Sequence, residues 1–298
     1  LAEPLVSVVM AVHNMGDYLR PAIASVLSQS FRDFEFIIIN DGSVDSTGRI
    51  LRSQSDARIR VLTQENQGLT VSLNRGTELA KGKYIARMDG DDISLPFRFE
   101  EQVEFLESQP NVVAAGGQVL DVDSYGGYLG GKLRPTQHEE IDRQLLLGVG
   151  DVIVHPSLMV RATALRQVHG YDEQYRTAQD LDLYLRLAET GRLANLESHV
   201  LMYRQHAAST NSKKYDIQIE NRRNIMTAAY ERRQIPFTPG CLTDWTPVDS
   251  LDQSISWAWR TLAHGERYPA LRHALNAWLS HPLSKKTWKL MACVARGY

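Results

Sequence analysis

The chain has 298 residues and carries 33 Lys and Arg against 35 Asp and Glu, a formal net charge of −2. That balance lacks the basic excess a nucleic-acid partner would require, so none is expected. With 43% hydrophobic and 23% charged residues the chain can bury a full core, and no uninterrupted apolar run is long enough to cross a bilayer.

Cys241 and Cys293 are the only cysteines. They support neither a disulfide framework nor a cysteine-rich zinc site, which fits a reducing compartment. No signal-peptide pattern opens the sequence. A cytoplasmic protein, soluble or peripheral on the inner face of the cell membrane, is the expectation.

In chain order, "LVSVVMAV" (5–12), "FEFIIIN" (34–40), "RIRVLTQ" (58–64), "KYIARMD" (83–89) and "NVVAAGG" (111–117) read as strands. Continuous Val and Ile runs bounded by turn residues fit parallel strands covered on both faces. Between them, "DYLRPAIASVLSQS", "DSTGRILRSQS", "GLTVSLNRGTELAKG" and "LPFRFEEQVEFLESQ" space their apolar residues as helices do. Residues 121–135, rich in glycine, read as a loop or short hairpin. Residues 151–161 read as a strand, 180–191 as a helix and 197–206 as a strand. Beyond about residue 210 the pattern is helical, interrupted by "TPGCLTDWTPVD". The alternation predicts an α/β fold, a doubly wound and mostly parallel sheet, with a helical C-terminal extension. The expected division is a catalytic domain over 1–212 and the extension over 213–298.

Ligands of such sheets sit beyond the carboxyl ends of the strands, where His13, Asn14, Asn40, Asp41, Asp89 and Asp91 fall. In "NDGSVDS", Asp45 or Ser46 can cap the next helix. Asp41 is placed to accept a hydrogen bond from a ring N–H of a ligand, with turn chemistry as the other reading. In Asp89-Gly90-Asp91-Asp92, an extended backbone would turn Asp89 and Asp91 to one side and Asp92 to the other. Hard oxygen donors there suit Mg²⁺ or Mn²⁺ on a diphosphate, the alternative being an exposed acidic turn before a helix. Asp180, three residues after Thr177 in a capping-box pattern, can be catalytic or can stabilise a helix dipole. His155 and His206 each follow an apolar strand, as core or rim residues or as metal ligands. The chain lacks G-x-G-x-x-G after the first strand, G-x-x-x-x-G-K-[ST] and G-x-S-x-G, which weakens dinucleotide, P-loop and hydrolase readings.

Taken together, "VSVVMAVHN", "YLRPAIASVLSQSFRDFEFIIINDGSVDST", "GLTVSLNRGTELAKGKYIARMDGDDISLPFRFEEQ" and "HPSLMVRATALRQVHGYDEQYRTAQDLDLYLRLAETG" resemble, in order, the blocks of the family-two glycosyltransferases with the A-type fold. The resemblance implies a nucleoside-diphosphate sugar donor, UDP-linked, and a saccharide or lipid-linked saccharide acceptor of surface polysaccharide or oligosaccharide synthesis. It implies that Asp41 reads the base, that the backbone from Ala11 to His13 frames it, that Asp89 contacts the ribose or the metal-bound assembly, and that Asp91 holds Mn²⁺ or Mg²⁺ at the diphosphate. It implies Asp180 as the general base of an inverting transfer. Gln179 stands where the family has glutamate, and His13 where many members have tyrosine. His206 and Arg204 would reach the diphosphate or metal when the polar stretch 206–214 closes. Competing expectations are a sugar nucleotidyltransferase and a non-catalytic sugar-nucleotide-binding subunit. Trp245, Trp257, Trp259, Trp278 and Trp288, with Lys285, Lys286, Lys289 and Arg296, crowd the extension. Packing on the catalytic domain or on a second subunit (a homo-oligomer) is the favoured reading for them, and peripheral contact with membrane lipid the other.

Overall fold

The computed structural model describes residues 3–206, 215–236 and 250–297. The expected closing stretch 207–214, the 212/213 boundary, the interruption at 238–249, Cys241 and Trp245 lie outside them. In chain order the elements are β1 (Val6–Val12), α1 (Leu19–Leu27), β2 (Phe34–Asp41), α2 (Thr47–Arg52), β3 (Ile59–Gln64), α3 (Leu69–Leu79), β4 (Tyr84–Met88), β5 (Ile93–Ser94) and α4 (Arg98–Ser108). They continue with β6 (Val112–Val122), β7 (Tyr128–Gly130), α5 (His138–Leu146), β8 (Met159–Arg161), α6 (Ala162–Gln167), α7 (Gln179–Ala188) and β9 (Arg192–Arg204). Among the described residues, the helices α8 (Tyr215–Arg232), α9 (Ser250–Ala263), α10 (Arg267–Ser280) and α11 (Lys285–Arg296) follow.

The strands form one sheet in the order β3-β2-β1-β4-β8-β6-β9-β5, with β7 on β6. β3, β2, β1 and β4 are mutually parallel, whereas β8 runs antiparallel to β4 and to β6. Phe36 to Asp41 of β2 are buried, whereas the edge strand β3 is partly exposed along its length; all seven residues of β1 are buried, covered on both faces as its apolar run demands. Ser7 is the polar exception. It donates to Glu35 at 2.6 Å and accepts the N–H groups of Lys81 and Gly82, tying β1 to β2 and to the turn that launches β4.

Two expectations fail locally. Residues 151–161 are not one strand: single helical turns at Gly150–Val152 and His155–Ser157 precede a three-residue β8. Pro156 accounts for this, since it donates no ladder hydrogen bond and its ring fits the first turn of a helix. Thr177 does not cap α7. The N-cap is Ala178, at φ 59°, and the Thr177 hydroxyl accepts from Asn221 of α8.

The chain divides into two compact units. The first comprises Leu1–Val119, Leu133–Leu201 and Asp216–Thr243, and the second Leu120–Lys132, Met202–Tyr215 and Asp244–Tyr298. The first unit therefore includes α8, whose Ile225, Met226 and Ala229 join the core formed with Leu181 and Leu185 of α7. In the second, α9, α10 and α11 share a small core of Ala258, Leu262, Ala270, Ala274, Ala277, Leu290 and Val294. Arg260 bonds Asp121 at 3.0 Å and the Leu129 carbonyl at 2.7 Å, and His273 meets Asp123 at 2.7 Å, fastening the β6–β7 hairpin to α9 and α10. Among the described residues no helix is long and apolar enough to cross a membrane.

Gly82 marks where the parallel sheet tolerates no extra atom. A Cβ there would lie 2.6 Å from the Ser7 nitrogen and 2.8 Å from the Val6 carbonyl carbon, backbone that cannot swing aside. Gly82→Ala should destabilise the chain by about 1–3 kcal/mol. Urea unfolding checks this as a lower midpoint at unchanged m-value.

Candidate active site

The parallel register sets the site. Val12 pairs with Asn40, Met10 with Met88 and Asp41 with Gln64, so the ends of β1, β2, β3 and β4 open on the same edge. His13, Asp41 and Asp89 thus come within a few strand spacings, each roughly 4.8 Å. Ala11 lies in β1 just before the edge and is buried.

At the β1 and β2 ends the loops are stitched to each other. His13 Nδ1 is 2.8 Å from the Asp41 carbonyl, which can only accept, so Nδ1 carries the proton and Nε2 is left to accept from Asn14 at 3.1 Å. Asn14, at φ 55°, donates its backbone N–H to Ser43 and accepts from the Val44 N–H. Asp45 accepts from the N–H of Thr47 in an Asx turn that leads into α2, whereas Ser46 holds the N-cap position without a side-chain capping bond, so neither residue makes the expected cap. The Asp41 carboxylate is buried and accepts three hydrogen bonds: from Gln64 and the Gln67 N–H on Oδ1, and from the Gly68 N–H on Oδ2. It holds the β3–α3 loop in place, and Oδ2 retains a lone pair for a further donor.

The acidic turn at the end of β4 rests on a basic floor. Arg87 is buried in β4 and ion-pairs with Asp89. Arg98, fully buried at the start of α4, donates to the Arg87 carbonyl at 2.8 Å and to Gln102 at 3.0 Å. Burial, then the neighbouring Arg87 charge, lowers its pKa to about 9, while the Asp92 carboxylate acts in the opposite direction. Burial likewise opposes the charge on Arg87, but Asp89 keeps that guanidinium firmly protonated. Asp89 itself is pushed above the usual carboxylate range, first by burial and then by Asp91 and Asp180, against the pull of Arg87.

Asp89, Asp91 and Asp92 each bring an oxygen within 4.8 Å of the others. The expectation that Asp92 faces away is therefore wrong. Residues 90 and 91 form a bend, so the side-to-side alternation of an extended strand does not apply. Gly90 permits the bend by close packing: a Cβ would lie 2.7 Å from Val12 Cγ1. Three hard carboxylate oxygens without sulfur or imidazole fit Mn²⁺ or Mg²⁺, whose charge would offset their mutual repulsion.

Asp180 reaches this neighbourhood from the far end of the sequence. Asn74 of α3 accepts the Tyr171 N–H and donates to the Tyr171 carbonyl, both at 2.9 Å, and Thr70 donates to the Tyr175 carbonyl at 3.0 Å. These bonds fix the segment that leads into α7. Asp180, half-buried in the first turn, accepts the Leu181 N–H at 2.9 Å. Burial raises its pKa, partly countered by backbone hydrogen bonds and by Arg87. His155 is buried 2.8 Å from the Tyr171 hydroxyl, and burial with the nearby Arg87 charge holds it neutral, well below the usual histidine range. It is the hydrogen-bonded core histidine rather than a ligand. Because Asp89 and Asp180 hold protons more tightly folded than unfolded, both favour folding at low pH, an advantage lost as pH rises through their raised pKa values.

Arg87, Tyr171 and Tyr184 are the neighbours that sequence reading missed. Arg87 did leave a signal: a lone cation inside the apolar run "YIARM" is costly unless a carboxylate waits beside it. Gln179 is buried at the first position of α7. His206 is buried in the second unit.

The sequence profile described as Glycosyl transferase family 2 matches residues 7–168. The chain belongs to that family and is a glycosyltransferase, which sets aside the nucleotidyltransferase and non-catalytic readings. It is 34% identical over 225 residues, 73% of this chain and 79% of the relative, to EpsE of Bacillus subtilis (strain 168), named as a glycosyltransferase. It is 32% identical over 212 residues, 69% of this chain and 82% of the relative, to the O-antigen biosynthesis glycosyltransferase WbnJ of Escherichia coli. Among solved structures, the mannosyltransferase PcManGT from Pyrobaculum calidifontis, in complex with GDP-Man and Mn²⁺, superposes with a TM-score of 0.58 at 14% identity over 99% of this chain and 85% of that one. The shared architecture is the A-type glycosyltransferase fold.

Replacing Arg87 by methionine should strand Asp89 without its counter-charge. The expected loss is about 3 kcal/mol, the low end for a broken buried pair because Asp89 keeps some exposure. Thermal unfolding at neutral pH measures the loss, and it should shrink on acidification as Asp89 protonates.

Proposed function

We propose that the chain transfers a sugar, with inversion, from a nucleoside-diphosphate sugar to a saccharide or lipid-linked saccharide acceptor, in surface polysaccharide or oligosaccharide synthesis. The observation that carries this is the gathering of Asp89, Asp91 and Asp92 oxygens at the β4 end, electrostatically coupled to Asp180. The name of WbnJ supports the polysaccharide setting, and the nucleotide sugar and Mn²⁺ in the mannosyltransferase support the donor class and the ion.

Asp41, with the spare lone pair on Oδ2, accepts from the base, while Ala11, His13 and Asn14 frame it. UDP is the favoured nucleotide. Asp89 and Asp91, joined by Asp92, hold the divalent ion, which when bound neutralises charge on the departing diphosphate. His206, expected as a further ligand, belongs to the second unit and is given no part in this site. Asp180 takes the proton of an acceptor hydroxyl. That oxygen then bonds to the anomeric carbon from the face opposite the leaving group, and the bond from carbon to phosphate oxygen breaks. Burial suits Asp180 to this work, since a carboxylate with a raised pKa is the stronger base. Arg87 offsets part of the burial cost of the Asp89 charge and holds that side chain in place.

Asp180→Asn should lower turnover by roughly 10²- to 10⁴-fold while leaving donor affinity intact, separating chemistry from binding. In the parent enzyme kcat should rise with pH through a pKa above the ordinary aspartate range, because only the deprotonated carboxylate accepts the proton. That acid limb should vanish in the variant; its persistence would reject Asp180 as the base.

A thermal-shift panel of UDP-, GDP- and dTDP-sugars, each with and without Mn²⁺, tests the donor and the ion together. UDP compounds should raise Tm most, and only with the ion present. Asp91→Asn should abolish the ion's effect. An ion-independent shift would remove the metal from the site.

A further inference from the structure

The three C-terminal helices have an unusual distribution of apolar residues. α10 turns its small residues inward, with Ala270, Ala274 and Ala277 in the core of the second unit. Its large ones point out: Tyr268 is 74% exposed and Leu279 62%, with Leu271 and Leu275 exposed between them. At 100° per residue, positions 268, 271, 275 and 279 fall on one narrow stripe. Leu283, in the turn to α11, is 96% exposed, and Trp288 of α11 is 57% exposed. A helix selected only to pack would bury its leucines and expose its alanines.

The surroundings of this stripe are basic. Residues 250–297 hold seven Lys and Arg against Asp252 and Glu266, a net of +5 in a chain whose total is −2. Lys285, Lys289 and Arg296 lie along one exposed face of α11, with Trp288 at its edge. The Trp288 indole N–H is satisfied by the Pro282 carbonyl at 2.8 Å, and its ring meets Trp278 edge-on at 5.5 Å. The ring can therefore enter an apolar phase without stranding a donor. Trp257, by contrast, is buried against His273 within the second unit.

We infer that the leucine stripe of α10, the Leu283 turn and the basic face of α11 dock on an anionic lipid surface. Leucine and tryptophan side chains enter the boundary between headgroups and acyl chains, while the lysines stay at the level of the lipid phosphates. Charge selects this occupant over a second copy of the same face, since two faces that each carry Lys285, Lys289 and Arg296 would repel. The proposal does not rest on the donor or acceptor reading, and vesicles free of sugar nucleotide test it separately.

The full chain should co-float with vesicles of mixed phosphatidylglycerol and phosphatidylcholine, less at high salt, and not with phosphatidylcholine alone. Lys285→Ala and Lys289→Ala should each weaken binding roughly fivefold. Leu279→Ser with Leu283→Ser should weaken it further, with unchanged circular dichroism and Tm because both side chains are exposed. Absence of flotation, or flotation that neither set of variants alters, would overturn the proposal. So would a dimer in sedimentation that the double leucine variant dissociates while vesicles bind nothing, because the stripe would then join two copies.

Discussion

The ion pair between Arg87 and Asp89 is the interaction on which the acidic turn depends. A guanidinium buried in a strand is tolerable only if a carboxylate meets it, and a carboxylate crowded by other acids is tolerable only if a cation lies beneath. Arg98 extends the same bargain one layer down. Its pKa, lowered to about 9 by burial and by Arg87, records the repulsion between two interior cations, and Asp92 relieves part of it. Part of the positive charge that the aspartates call for is thus built into the protein.

Parallel pairing lets that turn act as the centre of a site. Successive strands point the same way, so segments separated by dozens of residues end side by side. Hydrogen bonds then lock what the register delivers. Asp41 fastens the β3–α3 loop, His13 and Asn14 fasten the β1 and β2 ends, and Asn74 clasps the backbone of Tyr171. Through that clasp the helix carrying Asp180 is oriented by α3, from the first half of the chain, rather than by a cap of its own. The result is that Asp180 and the acidic turn sense each other's charge although some 90 residues lie between them.

The second unit obeys different physics. Its core is small and rich in alanine, and polar links supply much of its cohesion: Asp123 with His273, and Asp121 with Arg260. Burial would push the Asp123 carboxyl up, but hydrogen bonds from His273 and from the Gly127 and Tyr125 N–H groups hold it below the usual range. With the interior satisfied by alanines and ion pairs, the leucines of α10 are left for the surface.

Much of the fold was legible in order along the chain. The Val and Ile runs determine the strands because only a sheet covered on both faces can bury unbroken apolar segments, and the acids at the ends of β2 and β4 mark the ligand edge. What local sequence could not decide was anything set by a partner distant in the chain. The strand expected at 151–161 yields to Pro156, and Thr177 forgoes its cap for a hydrogen bond with Asn221 of α8. Asp92 joins its neighbours because packing at Gly90 bends a backbone whose pattern alone suggested extension. Residue spacing specifies direction only while the backbone stays regular. Where it turns, the contacts that tertiary packing brings together determine which way a side chain points.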